Sequence, residues 1–143
     1  MKRWIAVLLT SLAALWAAAL LQGCAGGGGS AAQKVYVKPG EHDKYYAFLS
    51  GGHSGQVFVY GLPSCRYITT IPVFTLESAK GYGFDEESKA MLKGFIWGDA
   101  HHPGLSETNG DFDGRWLFIN DMPHARIARI DLKDFTTREI FGP

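Results

Sequence analysis

The alternation of apolar and polar residues predicts short β-strands through most of the chain after Lys34. Each candidate strand has a period of two or is rich in β-branched and aromatic residues, and each ends near glycine, proline or a polar turn. The pattern therefore predicts an all-β fold. One short helix is predicted over DEESKAMLKG, which has acids in its first turn and ends at Gly94. The candidate strands are YYAFLS, QVFVYGL, YITTIPVF, RWLFIND, RIARIDL and TTREIF.

The last three strands repeat the first three. A shift of 70 positions places AFLSGGHSGQVFVYGLPS over LFINDMPHARIARIDLKD. Each copy has an apolar strand, a polar stretch, an alternating strand, a turn and a third strand, which is typical of a β-propeller blade. Residues 75–113 are predicted to be an insertion that loops out between the copies. The alternative is that two ordinary hairpins resemble each other by chance. Because two blades cannot close a propeller, we expect residues 34–143 to be the incomplete first part of such a domain.

The N-terminus predicts export. Lys2 and Arg3 precede the apolar stretch WIAVLLTSLAALWAAALLQG, and residues 1–23 have the layout of a signal peptide for the general secretory route. The residues LQGC resemble a bacterial lipobox, which implies lipidation of Cys24. The alternative is an uncleaved membrane anchor over residues 4–21. Both predict that the rest of the chain lies outside the cytoplasm, in the periplasm or on the outer face of the cytoplasmic membrane.

Composition adds three expectations. Residues 24–33 are rich in glycine, serine and alanine and predict a flexible tether. Formal net charge is zero, so no basic surface for nucleic acid is expected. With Cys24 lipidated, Cys65 would have no internal disulfide partner and is interpreted as a small residue in a turn.

Two of the five histidines, His101 and His102, stand side by side in WGDAHHPG. Neighbours on an extended chain point to opposite sides, so both can hold one metal ion only if the backbone bends. A multinuclear cluster is easier, because each ring can bind a different atom. Pro103 and Gly104 favour a bend, imidazole suits copper, zinc, iron or nickel, and Asp99 is a candidate acceptor for a ring nitrogen. The alternative is a solvated polar loop.

Other polar positions have simpler interpretations. His53, in GGHSGQ, is expected to be an exposed turn residue. Asp111 and Asp113, in NGDFDGR, look like a fragment of a calcium loop, but the full pattern is missing. The DFDG stretch is therefore predicted to be the tight turn that enters the strand RWLFIND.

Four segments together resemble the N-terminal part of nitrous-oxide reductases: GGHSGQVFVYGLPSCRYITTIPVF, YGFDEESKAML, WGDAHHPGLSETNGDFDGRWLFIND and ARIARIDL. The resemblance covers residues 34–143 and is closest to the form exported by the general secretory route. It implies a seven-bladed propeller followed by a cupredoxin domain. It also implies copper: a tetranuclear copper-sulfide centre held by seven histidines, and a dinuclear copper centre that receives electrons.

By this resemblance, His101 and His102 match the first two cluster ligands and Asp99 matches the acid of that loop. The remaining ligands, the dinuclear centre and a calcium site would lie beyond Pro143. His124 stands where the family has a different stretch and is assigned a surface role. The implied reaction is reduction of N2O to N2 and water in denitrification. A c-type cytochrome is the implied electron donor, and a homodimer is the implied assembly.

The sequence thus predicts the N-terminal part of a copper oxidoreductase, inactive by itself. The first alternative is a non-catalytic extracytoplasmic propeller lipoprotein that binds a protein or a small ligand. The second is a relic without metal.

Overall fold

The computed structural model describes residues 29–143. The predicted signal peptide, the candidate membrane anchor and Cys24 lie outside the described residues. Helix α1, Gly29–Val35, has no buried residue and occupies the end of the stretch predicted to be a flexible tether. Alanine and glutamine there are good helix formers, which explains a helix where composition alone predicts none. Within residues 29–143, no helix is long and apolar enough to cross a membrane.

Two antiparallel sheets make up residues 37–143, and the predicted all-β class is confirmed for this part of the chain. The first sheet has three strands in the order β1-β2-β3: Tyr45–Ser50, Gln56–Leu62 and Arg66–Pro72. The second has four strands in the order β4-β5-β6-β7: Ala100–Thr108, Asp111–Asp121, Arg126–Asp131 and Thr136–Phe141.

The predicted repeat is visible in the strands. A shift of 70 positions takes β1 into β5, β2 onto β6 and β3 onto β7, and neighbouring strands pair antiparallel in both sheets. Both turns after the middle strand contain a residue with positive φ at matching positions, Cys65 at 57° and Phe135 at 57°. The two copies are therefore one structural unit used twice.

The second sheet has an extra strand where the sequence predicted part of an insertion loop. Residues 100–108, including both adjacent histidines, form β4 and pair with β5. Pro103 and Gly104 suggested a loop, but β4 is an edge strand, where a residue without an N–H is tolerated. The register shifts between His101 and Gly104, so a bulge accommodates the Pro-Gly pair within the strand.

The turn predicted at DFDG is also wrong. The chain reverses at Asn109 and Gly110, whose φ angles are 56° and 85°, and Asp111 and Asp113 lie within β5. Two successive positive φ angles are typical of the two-residue Asn-Gly hairpin turn. That dipeptide was present in the sequence and is the stronger turn signal.

The core lies between the two sheets. Strand β2 alternates buried and half-buried residues, as its period of two predicts. Its buried side chains pack in one cluster with residues of β5 and β6, and each contributes about 1.5–3 kcal/mol on burial. The fully or almost fully buried strand residues include Val57, Val59, Ile71, Leu117, Ile119, Ala128 and Ile130.

A helical segment connects the sheets and covers one side of this core. It contains a short 3-10 helix, Ser78–Lys80, and helix α2, Glu86–Leu92. The predicted helix is confirmed: Asp85 caps its N-terminus by accepting a hydrogen bond from the Ser88 amide, and Lys93 ends it with φ 52°. From its end the chain runs directly to Trp97 and Asp99, so α2 fixes the approach to the histidine pair.

Candidate metal centre

The two adjacent histidines stand where the sheets meet. Ala100, just before them, pairs with Asp121 of β5, and its amide donates to the carbonyl of Gly52, 2.9 Å away, in the β1–β2 turn of the other sheet. The side-chain hydroxyl of Ser50 also donates to the Ala100 carbonyl. The start of β4 is therefore held from both sides before the histidines begin.

The rings of His101 and His102 are accessible and lie close together. His101 is half-buried and His102 is exposed. Their ring centroids lie 5.8 Å apart with the planes tilted by 41°. His102 has φ 50°, a left-handed conformation that a residue with a Cβ seldom adopts, and such strain gathers at functional sites. The predicted bend beside the pair is thus confirmed, and it falls at His102 itself.

Asp99 lies between two imidazoles. Its side chain is 11% exposed, with Oδ1 2.8 Å from Nε2 of His101 and Oδ2 3.0 Å from Nδ1 of His53. The nitrogen of His101 does not point its hydrogen along the contact, so Oδ1 is a buried acceptor without a hydrogen bond. Asp99 is therefore close to the imidazole for which it is the candidate acceptor, and also to a second imidazole that the sequence did not indicate.

Asp121 organises the segment beneath this contact. It is almost fully buried and accepts hydrogen bonds from the Asp99 amide at 2.8 Å and from Nε of Arg126 at 2.8 Å. Gly98 makes this approach possible, because a Cβ there would lie 2.8 Å from Oδ2 of Asp121. The buried carboxylate therefore holds the backbone that leads into the histidine pair.

Arg126 completes the buried pair. Its guanidinium is fully buried, lies over the rings of Phe95 at 4.5 Å and Phe74 at 5.1 Å, and also donates to the carbonyl of Trp97 at 3.4 Å. A buried charge is stable only when it is paired and hydrogen-bonded, which is satisfied here. This pair was not predicted from the sequence, where the only signal was a charge at each end of the polar stretch between two strands.

His53 is more than the exposed turn residue that the sequence suggested. Its side chain is 85% exposed, but one edge contacts Asp99 as described and its ring stacks on Trp97 at 6.2 Å. Nε1 of Trp97 donates to the His53 carbonyl at 2.9 Å. The Gly-rich turn therefore carries His53 over the first residues of the histidine segment.

His124 also differs from its expected surface role. Its ring is mostly buried against Phe95 and Trp97, with centroids 4.7 Å and 5.5 Å away, and Nδ1 lies 2.9 Å from Oδ2 of Asp121. It faces the buried network rather than the exposed imidazoles of His101 and His102. It is accordingly a packing residue beneath the site.

Other candidates stay apart from the histidines. Cys65 is exposed at the β2–β3 turn, as expected. Asp113 accepts from the hydroxyl groups of Ser106 and Thr108 and from the Arg115 amide, and these hydrogen bonds, led by that of Ser106, lower its pKa. Its oxygens are thus engaged within the hairpin, which supports the view that it is no calcium ligand.

The donor set fits part of a larger metal centre. Within residues 29–143, no group of three or more His, Cys, Asp or Glu residues is placed to hold a metal ion by itself. Two imidazoles are accessible, and a buried carboxylate oxygen lies 2.8 Å from a ring nitrogen of one of them, a distance at which an acceptor can orient a ligating histidine. The two imidazoles fit nitrogen ligands of a copper centre, which would need further ligands besides them.

Comparison with known proteins agrees with the resemblance of the motifs. No protein-family model matches the chain. The chain is 50% identical over 103 residues to the nitrous-oxide reductase of Stutzerimonas stutzeri and 50% identical over 105 residues to that of Pseudomonas fluorescens. These matches cover 70% and 71% of the chain.

A third relative, the nitrous-oxide reductase of Cupriavidus necator, is 39% identical over 125 residues, or 82% of the chain. The chain spans only 16% of the length of the first two relatives and 19% of the third. Identity of this extent over most of the chain establishes common descent for the matched residues. Over those residues, the chain belongs to the nitrous-oxide reductase family.

Proposed function

We propose that this chain supplies His101 and His102 as two copper ligands of a centre that reduces N2O to N2 and water. The observation that carries the proposal is the histidine pair at the start of β4, whose accessible rings lie 5.8 Å apart, in a chain that is 50% identical over 103 residues to a nitrous-oxide reductase. Family membership supports N2O as the substrate class, and the geometry supports the choice of residues.

The two rings lie close enough to serve one compact metal centre. Their centroids are 5.8 Å apart, because the left-handed backbone at His102 turns its side chain away from the direction it would have in a regular strand. Because Nε2 of His101 faces Asp99, the other ring nitrogen, Nδ1, is left to bind metal. The pair can therefore present one nitrogen each to neighbouring copper atoms.

The protein side of the chemistry is orientation and charge. Asp99, as a carboxylate beside His101, would fix its tautomer and raise its basicity as a ligand. The buried pair of Asp121 and Arg126 keeps Asp99 in place without adding charge at the surface. A bound copper-sulfide centre would supply the two electrons that, with two protons, convert N2O into N2 and water.

The remaining features of the proposal concern the complete enzyme. The two sheets would be the first blades of a seven-bladed propeller, within which this centre lies, followed by a cupredoxin domain with a dinuclear copper and a calcium site. The electron donor would be a c-type cytochrome and the assembly a homodimer. The Lys-Arg start, the apolar stretch and LQGC support export and lipidation at Cys24, and hence a place outside the cytoplasm.

The uncovered face of the second sheet supports further blades. Phe118, Ile127 and Phe141 are exposed side by side on it, while Nε of Arg129 and Oδ1 of Asn120 are buried there without a hydrogen bond. Exposed apolar side chains next to unpaired polar atoms are typical of a surface that another element covers. A third sheet of the same kind is the occupant that the repeat predicts.

Replacement of His102 by Ala tests the ligand role. In the copper-loaded protein, we expect copper content and N2O reduction both to fall, because a cluster ligand is lost. His42→Ala is the matched control, since His42 is exposed and lies in the segment before β1, outside the site. Unchanged copper in the His102 variant would reject the ligand role. Copper-free wild-type protein with an intact fold would favour a propeller that binds another ligand.

A further inference from the structure

The carboxylate of Asp99 has few groups to fix its orientation. Its backbone is held by Asp121, but its side chain is held only by two close contacts with imidazoles: Oδ1 is buried without a hydrogen bond, and Oδ2 lies at ion-pair distance, 3.0 Å, from Nδ1 of His53. A carboxylate with one free oxygen can rotate about its last bond unless something holds the other oxygen. His53 thus supplies the nitrogen closest to Oδ2 among the ion-pair contacts of Asp99.

His53 is itself held firmly despite its exposure. Its carbonyl accepts from Nε1 of Trp97, its ring stacks on the Trp97 ring, and the turn that carries it is tied to β4 through the Gly52–Ala100 contact. The left-handed φ of 55° at Gly52 directs the turn over Asp99, and a Cβ at Gly52 would lie 3.7 Å from Oδ1 of Asp99. The β1–β2 turn of the first sheet therefore places the imidazole of His53 beside the carboxylate of Asp99.

We propose that His53 is a positioning residue for the copper ligand His101 and acts through Asp99. The imidazole of His53 holds Oδ2, which directs Oδ1 towards Nε2 of His101, so that the opposite ring nitrogen faces the metal. This inference rests on the proposed function, because it assumes that His101 binds copper. A residue of the first sheet, His53, would thus orient a copper ligand on the second sheet, His101.

Two variants separate the nitrogen contact from the stacking. His53→Phe keeps an aromatic ring on Trp97 but has no nitrogen. His53→Asn loses the ring but carries an amide nitrogen as many bonds from Cα as Nδ1 is in histidine. Because the His53 side chain is 85% exposed, neither change should affect the core. His42→Ala again serves as the control for the loss of an exposed histidine.

In the copper-loaded protein, we expect His53→Phe to lower copper content or N2O reduction by about tenfold, the lower end of the effect of residues behind metal ligands. The visible absorption spectrum of its copper centre should change as well. His53→Asn should stay within about threefold of wild type, because its amide nitrogen can replace Nδ1, and its loss should therefore be smaller than that of His53→Phe. In copper-free protein, hydrogen exchange over residues 97–104 should accelerate in His53→Phe and not in His42→Ala.

The results separate the two proposals. If His53→Phe matches wild type in copper content, spectrum and exchange while His102→Ala loses copper, the positioning role is overturned and the ligand role stands. If His53→Phe and His53→Asn lose function equally, the contact with Asp99 is not the cause and the positioning role is again overturned. If His102→Ala retains all its copper, the proposed function fails and the positioning role fails with it.

Discussion

The two sheets carry different residues at the same place in one repeated unit. In the first sheet, the turn between β1 and β2 runs from Gly51 to Gln56, and the Gly51 amide donates to the Gln56 carbonyl at 2.8 Å. Seventy positions later, the turn between β5 and β6 runs from Asp121 to Arg126, and their side chains form a fully buried ion pair. A neutral turn and a charged turn thus occupy equivalent positions.

The difference shows how one scaffold is used for two tasks. The neutral turn is free to project over its neighbour, and it presents His53 to Asp99. The two charged residues that flank the second turn are buried, and Asp121 holds the backbone of Asp99. The segment that leads to His101 is therefore fixed from above by the first sheet and from below by the second.

The largest expected effect comes from breaking the buried pair. Arg126→Met leaves the Asp121 carboxylate buried without its partner and should lower the free energy of unfolding by about 3–5 kcal/mol. Gln56→Met, at the matching position, loses one hydrogen bond to Glu77 and should cost about 1 kcal/mol. Urea unfolding followed by circular dichroism measures both.

A double variant sharpens this comparison. Asp121→Asn combined with Arg126→Met removes both charges, and its loss should be smaller than the sum of the two single losses, because each single variant leaves a buried charge unpaired and the double variant leaves none. If Arg126→Met costs no more than Gln56→Met, the two turns are equivalent in energy and the proposed division of tasks is wrong.

The two faces of the second sheet provide the next test. Ile119 is 1% exposed on the covered face and Phe118 is 37% exposed on the open one. Ile119→Ala should cost about 2–5 kcal/mol. If a third blade covers the open face, Phe118→Ala should cost about 3 kcal/mol in the complete protein, as for a buried aromatic. A loss below about 0.5 kcal/mol, as for a surface residue, would contradict the propeller proposal.

Much of this architecture could be predicted from the sequence. The period of two in QVFVYGL and RIARIDL identified the middle strands, and the shift of 70 positions identified the repeat. The prediction was wrong at Pro103 and Gly104, which were expected to form a loop. They fit within an edge strand because a bulge accommodates them, and that bulge depends on the pairing with β5, which the local sequence does not specify.

The site was predictable only where its contacts join residues that are close in the sequence. The proximity of Asp99 to His101 follows from their spacing along the chain. The contacts of Asp99 with His53 and Asp121 join residues 46 and 22 positions away in the sequence, and no periodicity connects them. His124 could not be placed because its role depends on Phe95 and Trp97, which come from the connecting segment.

The smallest expected effect is a pH dependence that differs between two carboxylates of the β4–β5 hairpin, Asp113 and Asp111. Hydrogen bonds from Ser106, the Arg115 amide and Thr108 lower the pKa of Asp113 from its ordinary 3.8. A carboxyl with a lowered pKa in the folded state stabilises the fold above its unfolded pKa and loses that contribution as pH falls through the lowered value. The melting temperature should therefore decline below pH 3.8.

Asp113→Asn should remove part of that acid dependence, while Asp111→Asn, for which no such hydrogen bonds exist in the described residues, should leave it as in wild type. Thermal melts at a series of acidic pH values test this. Equal acid dependence in wild type and Asp113→Asn would show that the hairpin hydrogen bonds of β4 and β5 do not contribute.

The proposed function requires that His101 and His102 each bind copper. The most direct measurement is anomalous X-ray diffraction at the copper edge from crystals of the copper-loaded protein. We predict two distinct copper peaks, one within bonding distance of a ring nitrogen of each histidine, with Asp99 on the opposite nitrogen of His101. Copper elsewhere in the protein, with both rings facing solvent, would contradict the account.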